Sequence, residues 1–185
     1  MVRSSKTPDL PNGPAQSLPD VVGPGLKVIF CGLNPGASAA ATGRHFEGRG
    51  NRFWPVLHRA GFTPTLFAPQ DDRKLLWLGY GLTTAVERPT ACAYELSRAE
   101  YVAAAAALER KVSRLAPRYV AFLGKAAYSA ISGVKDLEWG EQEGRFGGAR
   151  AWLLPNPSGL NRGFSSDALV EAYRELLIAS ERAPI

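Results

Sequence analysis

The chain has 185 residues, 45% of them hydrophobic and 21% charged, with a formal net charge of +5. That length suits one domain with a sizeable core, and the composition excludes a disordered or fibrous chain. No apolar stretch approaches the ~20 residues that span a bilayer, and the charged N-terminus is not followed by the apolar core of a secretory signal; a cytoplasmic protein without a membrane partner is expected.

Residues 1–24 carry Pro8, Pro11, Pro14, Pro19 and Pro24 with few large apolar groups. Such a segment buries too little surface to offset its ordering entropy, which predicts a flexible tail ahead of a single domain over 25–185. "LKVIFCGL" (Leu26–Leu33) is short, rich in apolar residues and closed by Pro35-Gly36, the pattern of a strand buried on both faces. "ASAAATGR" then reads as a small, flexible loop leading to Phe46. "NRFWPVLHRAGF" is expected to be helical with Pro55 in its first turn. "DDRKLLWLGYG" predicts a second short helix and "LTTAV" a second strand.

"SRAEYVAAAAALERKVSRLAP" is the clearest helix, with a Ser97/Glu100 capping box, helix-favouring alanines and Pro117 to end it. "YVAFLG" and "KAAYSAIS" give a third strand and the helix it feeds. Residues 134–149 look irregular or shortly antiparallel. "ARAWLL" is the fourth strand, and "SSDALVEAYRELLIASERA" the last helix, capped by Ser166 or Asp167. The alternation predicts an α/β three-layer sandwich: a central, mostly parallel four-stranded sheet flanked by helices. In such sheets ligands bind beyond the carboxyl ends of the strands.

Two of those ends share a feature. The first strand runs into "NPG" (Asn34–Gly36) and the last into "PNPSGL" (Pro155–Leu160), so two Asn-Pro turns are expected to border one cleft. Asn34 offers an amide that donates and accepts, suited to orienting a water or to closing its own turn. Leu160, among small residues and with Arg162 behind it, has the makings of a wedge for a base stack, or of a staple for the last helix. Gly124-Lys125 sits at a strand-to-helix junction that favours a phosphate. Arg88, in "AVERPT", could border the same cleft.

Neither the P-loop spacing nor a Gly-x-Gly-x-x-Gly fingerprint is present. Cys31 and Cys92, with His45 and His58, supply no metal-ligand pattern, and Cys31 reads as a small core residue. Neither metal nor cofactor is expected. The positive balance makes a polyanionic partner plausible.

"GLNPGAS…TG…F…NRFW" (Gly32–Trp54), "VERPT" (Val86–Thr90), "LGK" (Leu123–Lys125) and "LPNPSGL-N-R" (Leu154–Arg162) together resemble the mismatch-specific uracil-DNA glycosylases, the family that includes the thymine-DNA glycosylases. The resemblance runs from about Gly25 to the last helix. It implies that Asn34 holds the attacking water and that Phe46 stacks on a flipped base. It further implies that the backbone around Leu33, Gly36 and Phe46 reads the pyrimidine edge, with Ala39 at the pocket. Gly159 and Leu160 would fill the gap left in the duplex. Arg162 and the Asn156, Pro157 and Ser158 stretch would lie along the strand, with Lys125 on a phosphate. The implied partner is double-stranded DNA containing uracil mismatches, and the implied protein a monomer. Three departures, Ala39, Arg44-His45 and Thr84, bear on which damaged bases are accepted.

The chemistry fits these residue types. Extruding a base costs a few kcal/mol, least at a mispair. Backbone N–H groups can stabilise the departing uracil anion. With no carboxylate in the motif, slow chemistry is expected, since a general base contributes ~10²–10⁴-fold. No lysine stands as a nucleophile, so hydrolysis to an abasic site without strand cutting is expected. Rival readings are a broader uracil-DNA glycosylase acting also on U·A and single strands, a non-catalytic damaged-DNA-binding module, and, more remotely, a small-molecule hydrolase.

Overall fold

The computed structural model describes residues 18–90 and 95–182. Its centre is a sheet of five short strands: β1 (Val28–Gly32), β2 (Tyr80–Thr84), β3 (Tyr119–Leu123), β4 (Gly140–Phe146) and β5 (Ala149–Leu154). Their order across the sheet is β2-β1-β3-β5-β4. β1, β2, β3 and β5 run parallel, and β4 is antiparallel to β5. The α/β sandwich expected from the sequence is present, with one strand more than the four apolar runs indicate. β4, "GEQEGRF", escapes a hydrophobicity reading because its edge position leaves most of it open to solvent.

Both faces of the parallel part are covered, which is why β1, β2 and β3 are fully buried. Val28, Phe30, Ala121, Leu123 and Trp152 pack with α2 (Phe53–Ala60) and α5 (Ser166–Arg182). Cys31, Val120, Phe122 and Leu153 pack on the other side with α3 (Arg98–Leu115) and α4 (Lys125–Ser132). Burial pushes the Cys31 thiol up to about 12, as befits a core residue; Cys92 lies outside the described residues. Ser97 caps α3 and Glu100 closes the capping box. The cap of α5 is neither residue expected: Ser165 Oγ accepts from Ala168 N at 3.1 Å.

Three local expectations are corrected. Residues 37–44 are not simply a loop, since α1 (Ala37–Thr42) forms there, consistent with the helix propensity of its four alanines. The second short helix is a 3-10 helix, Pro69–Leu78, in which the buried Asp72 and Leu75 stand three apart on one ridge. The flexible tail expected over 1–24 does not extend to residue 24. Residues 1–17 lie outside the described residues, but 18–24 line the edge of the sheet. Val21 exchanges two backbone hydrogen bonds with Leu82, at 2.9 and 2.7 Å. Asp20 pairs with Lys111 at 2.6 Å and accepts from Thr83 Oγ1. Gly81 permits that approach, because a Cβ there would lie 2.8 Å from Val21 O. The strap covers an otherwise open strand edge.

Candidate active site

All four parallel strands end on the same side of the sheet, and the two Asn-Pro turns meet there. The loops after β1 and β2 run side by side. Ala85 N donates to Gly32 O, Val86 N to Leu33 O, and Thr90 N to Pro35 O, at 2.8, 3.0 and 3.1 Å. This ladder continues the sheet beyond its strands and fixes Asn34 between them. Among the described residues the Asn34 side chain bonds only through Nδ2, which donates to Arg88 O at 2.9 Å and Thr90 Oγ1 at 2.7 Å, with Pro35 O at 3.3 Å. The amide nitrogen is therefore engaged by the neighbouring loop, and the oxygen is the part left to serve a ligand. Its geometry is built to accept a hydrogen bond from a water.

The Arg88 guanidinium, a candidate for the cleft, turns away to Glu100 at 2.6 Å and Glu95 O at 3.2 Å. Arg88, with the Ser97 backbone and hydroxyl, holds the Glu100 carboxyl down at about 2. What Arg88 gives the site is its carbonyl, and the ion pair anchors that segment to the start of α3.

Phe46 walls the site. It has φ 56°, a conformation that costs a ring-bearing residue energy and persists only where its surroundings enforce it. Those surroundings are Phe53, stacked on it at 3.8 Å between centroids, and the buried His45 before it. His45 Nε2 hydrogen-bonds Pro19 O at 2.9 Å, and burial lowers the imidazole's pKa. One edge of the Phe46 ring passes Gly32, where a Cβ would lie 3.6 Å from it.

These groups enclose two cavities. The outer one, about 150 Å³, is lined by Leu33, Asn34, Gly36, Phe46, Asn51, Thr90, Asn156, Ser158 and Leu160, with Gly32 and Leu123. The inner one, about 90 Å³, adds Leu18, Pro35, Ala39, His45, Glu47 and Thr84. Both are small against the ~300–1,000 Å³ of sites for drug-sized ligands. They suit one ring and a few waters. Leu33, Gly36, Phe46 and Ala39 thus all reach the site, although the Leu33 carbonyl is already engaged by Val86 N.

The second turn is folded around its own polar groups. Asn156 Oδ1 accepts from Ser158 N at 2.9 Å, and its carbonyl accepts from Asn161 Nδ2 at 2.8 Å. Ser158 Oγ accepts from Leu160 N at 3.3 Å. Pro157 is buried, and its carbonyl accepts from Arg52 N. Gly159 lies against Gly50, where a Cβ would sit 2.6 Å from the Gly50 carbonyl oxygen. The result is a rigid bend from whose tip Leu160 projects, 73% exposed, with Arg162 exposed behind it.

Lys125 is not at the cleft. Its ammonium donates to Leu137 O and lies 4.6 Å from the centre of the Trp139 ring, so it ties α4 to the segment before β4.

Four further residues at the site carry no individual signal in the sequence. Thr90 orients the Asn34 amide. Asn51 lines both cavities while its Oδ1 accepts from Phe53 N at the start of α2. Arg52 grips the second turn through Phe164 O, Asn161 O and Ser158 O at 2.8, 2.7 and 3.2 Å, leaving its buried Nε without a partner. Glu47 lines the inner cavity, and its carboxylate accepts from Thr42 Oγ1. Asn51 and Arg52 stand in the quoted "NRFW", and Thr90 ends "VERPT", but nothing in those letters assigns a task to each.

The model of the uracil DNA glycosylase superfamily matches residues 19–177. Among solved structures, the chain is similar to a solution NMR structure of a protein from Methanosarcina acetivorans described as a candidate uracil DNA glycosylase. The TM-score is 0.55 at 19% identity, over 88% of this chain and 98% of that one. At that identity the likeness speaks for the fold alone.

Proposed function

The chain belongs to the uracil DNA glycosylase superfamily, and on that premise we propose that it is a mismatch-specific enzyme of base-excision repair. It flips uracil out of G·U-mismatched duplex DNA and hydrolyses the N-glycosidic bond, leaving an abasic site and an uncut strand. The reaction takes water and no cofactor, and a single copy of the chain carries the whole site.

The observation that carries this reading is the setting of Asn34. Its amide nitrogen is held by Arg88 O and Thr90 Oγ1, which leaves its oxygen for a site that Asn34 lines, sized for one ring and walled by Phe46. An extruded uracil stacks on Phe46, and the backbone near Gly36 and Phe46 meets its polar edge. A water on Asn34 Oδ1 traps the sugar as positive charge develops there. Backbone N–H groups aimed at the base oxygens stabilise the departing anion, as an oxyanion hole does.

Leu160 supports the base-flipping part. An exposed leucine on a rigid polar bend beside the cavity enters the stack in place of the extruded base. It slows the base's return. Arg162, and the backbone of Asn156 to Gly159, follow the strand. Selection of G·U arises because a mispaired base costs least to extrude.

Base release from G·U, A·U and G·T duplexes and from single-stranded uracil DNA, each with and without alkali afterwards, tests the reading. Strand breaks only after alkali, strongest for G·U, are expected. Comparable release from all uracil substrates would replace mismatch specificity with a broader uracil glycosylase. No release from any, with tight binding to an abasic duplex, would leave a binding module.

A further inference from the structure

Glu47 follows Phe46 on the loop leaving α1 and lines the inner cavity with Asn34, Gly36 and Ala39. Among the described residues no other carboxylate lines either cavity. Its Oε2 accepts from Thr42 Oγ1 at the end of α1. Among the described residues its Oε1 has no hydrogen-bond partner, and no ion pair involves Glu47. One oxygen thus fixes the carboxylate while the other remains open to a water.

Asn34 needs such a neighbour. Its amide can accept a hydrogen bond from the attacking water but cannot take the water's proton. A cavity of about 90 Å³ holds only a few waters, so a water on Asn34 Oδ1 is within reach of whatever base shares that space.

We propose that Glu47 is the general base of this site, taking through Oε1 a proton from the water that Asn34 positions. The proposal rests on the glycosylase reading above. The water oxygen bonds to C1′ as the C1′–N1 bond breaks, and the bonding pair leaves with uracil N1. The water's proton passes to Glu47 and on to solvent, and the uracil anion takes up a proton from solvent. Oxidation states do not change. The slow chemistry inferred from an Asn-Pro-Gly turn without a carboxylate is then relieved by a carboxylate further along the same segment.

Glu47→Gln separates this role from a structural one. Glutamine keeps an acceptor for Thr42 Oγ1 but cannot accept a proton at neutral pH. A general base predicts that kcat for uracil release from a G·U duplex falls about 10²-fold or more, with KM and abasic-duplex binding unchanged. Glu47→Ala should lose activity likewise and regain part of it with added formate, whereas Asn34→Ala should not. Glu47→Gln at the wild-type rate, or Glu47→Ala unresponsive to formate, overturns the proposal. Wild-type protein releasing no uracil would instead overturn the function on which it rests.

Discussion

The two Asn-Pro turns look alike in sequence and are held in opposite ways. The first is fixed from outside: its backbone is laddered to residues 85–90, and its asparagine amide is clamped by Arg88 and Thr90. The second is fixed from within, its asparagines bonding its own backbone, and is then gripped as a unit by Arg52. The first therefore leaves one side-chain oxygen for the cavity that its asparagine lines, and the second directs one apolar side chain out of the protein. A shared letter pattern marks two rigid bends. Which atoms each bend leaves free decides its task.

Perturbing each turn should separate these tasks. Asn34→Ala should have the largest effect, reducing uracil release at least ~10²-fold through loss of the positioned water, while abasic-duplex binding persists. Equal loss of binding would mean that the first turn serves affinity rather than chemistry.

Arg52→Ala removes three side-chain bonds that hold the second turn. At ~1.5–3 kcal/mol for hydrogen bonds to charged groups, and with partial replacement by water, about 2–4 kcal/mol should be lost, or ~5–15 °C in Tm. Calorimetry and activity on duplex DNA should fall together. An unchanged Tm would remove Arg52 as the clamp. Gly159→Ala places a methyl group against the Gly50 carbonyl and should cost ~1–3 kcal/mol as an overpacked contact, read from a denaturant midpoint. A neutral result would show that the two loops part easily.

Leu160→Ala should hardly change stability, since the side chain is exposed. It should slow release from duplexes more than from single strands, and a uniform slowing would disqualify the wedge. The smallest effect concerns His45, whose pKa burial lowers from 6.5. The folded protein then binds fewer protons than the unfolded chain as pH drops below about 6.5. Stability contributed by the neutral imidazole is complete above that value and declines as pH falls toward the lowered folded pKa. Urea titrations of wild type and His45→Gln across that window should converge at low pH; parallel curves would contradict the assignment.

What the sequence discloses follows from how each feature is encoded. β1, β3 and β5 are apolar because both faces are covered, and α3 carries its cap in its own letters, so all four are legible. β4 is legible only as short antiparallel structure set beside an irregular alternative over 134–149, because an edge strand needs little hydrophobicity. The 18–24 strap is missed because its order comes from pairing with β2 rather than from its composition. At the site, Asn34, Phe46 and Leu160 are recognisable as residue types at turns. Arg52 is hidden because its partners are carbonyls, which every residue has. Lys125 shows the converse: a lysine at a helix start suits a phosphate, while its contacts with Leu137 O and Trp139 are not written in that pattern.

On the proposed function, a positioned asparagine and not binding alone makes this cleft a uracil-releasing site. Single-turnover release from a G·U duplex by wild type and Asn34→Ala, with abasic-duplex affinity measured on both, tests it most directly. Rapid release by the wild type, near-abolished release by the variant and matched affinities are predicted. Equal release rates in the two proteins would contradict the account.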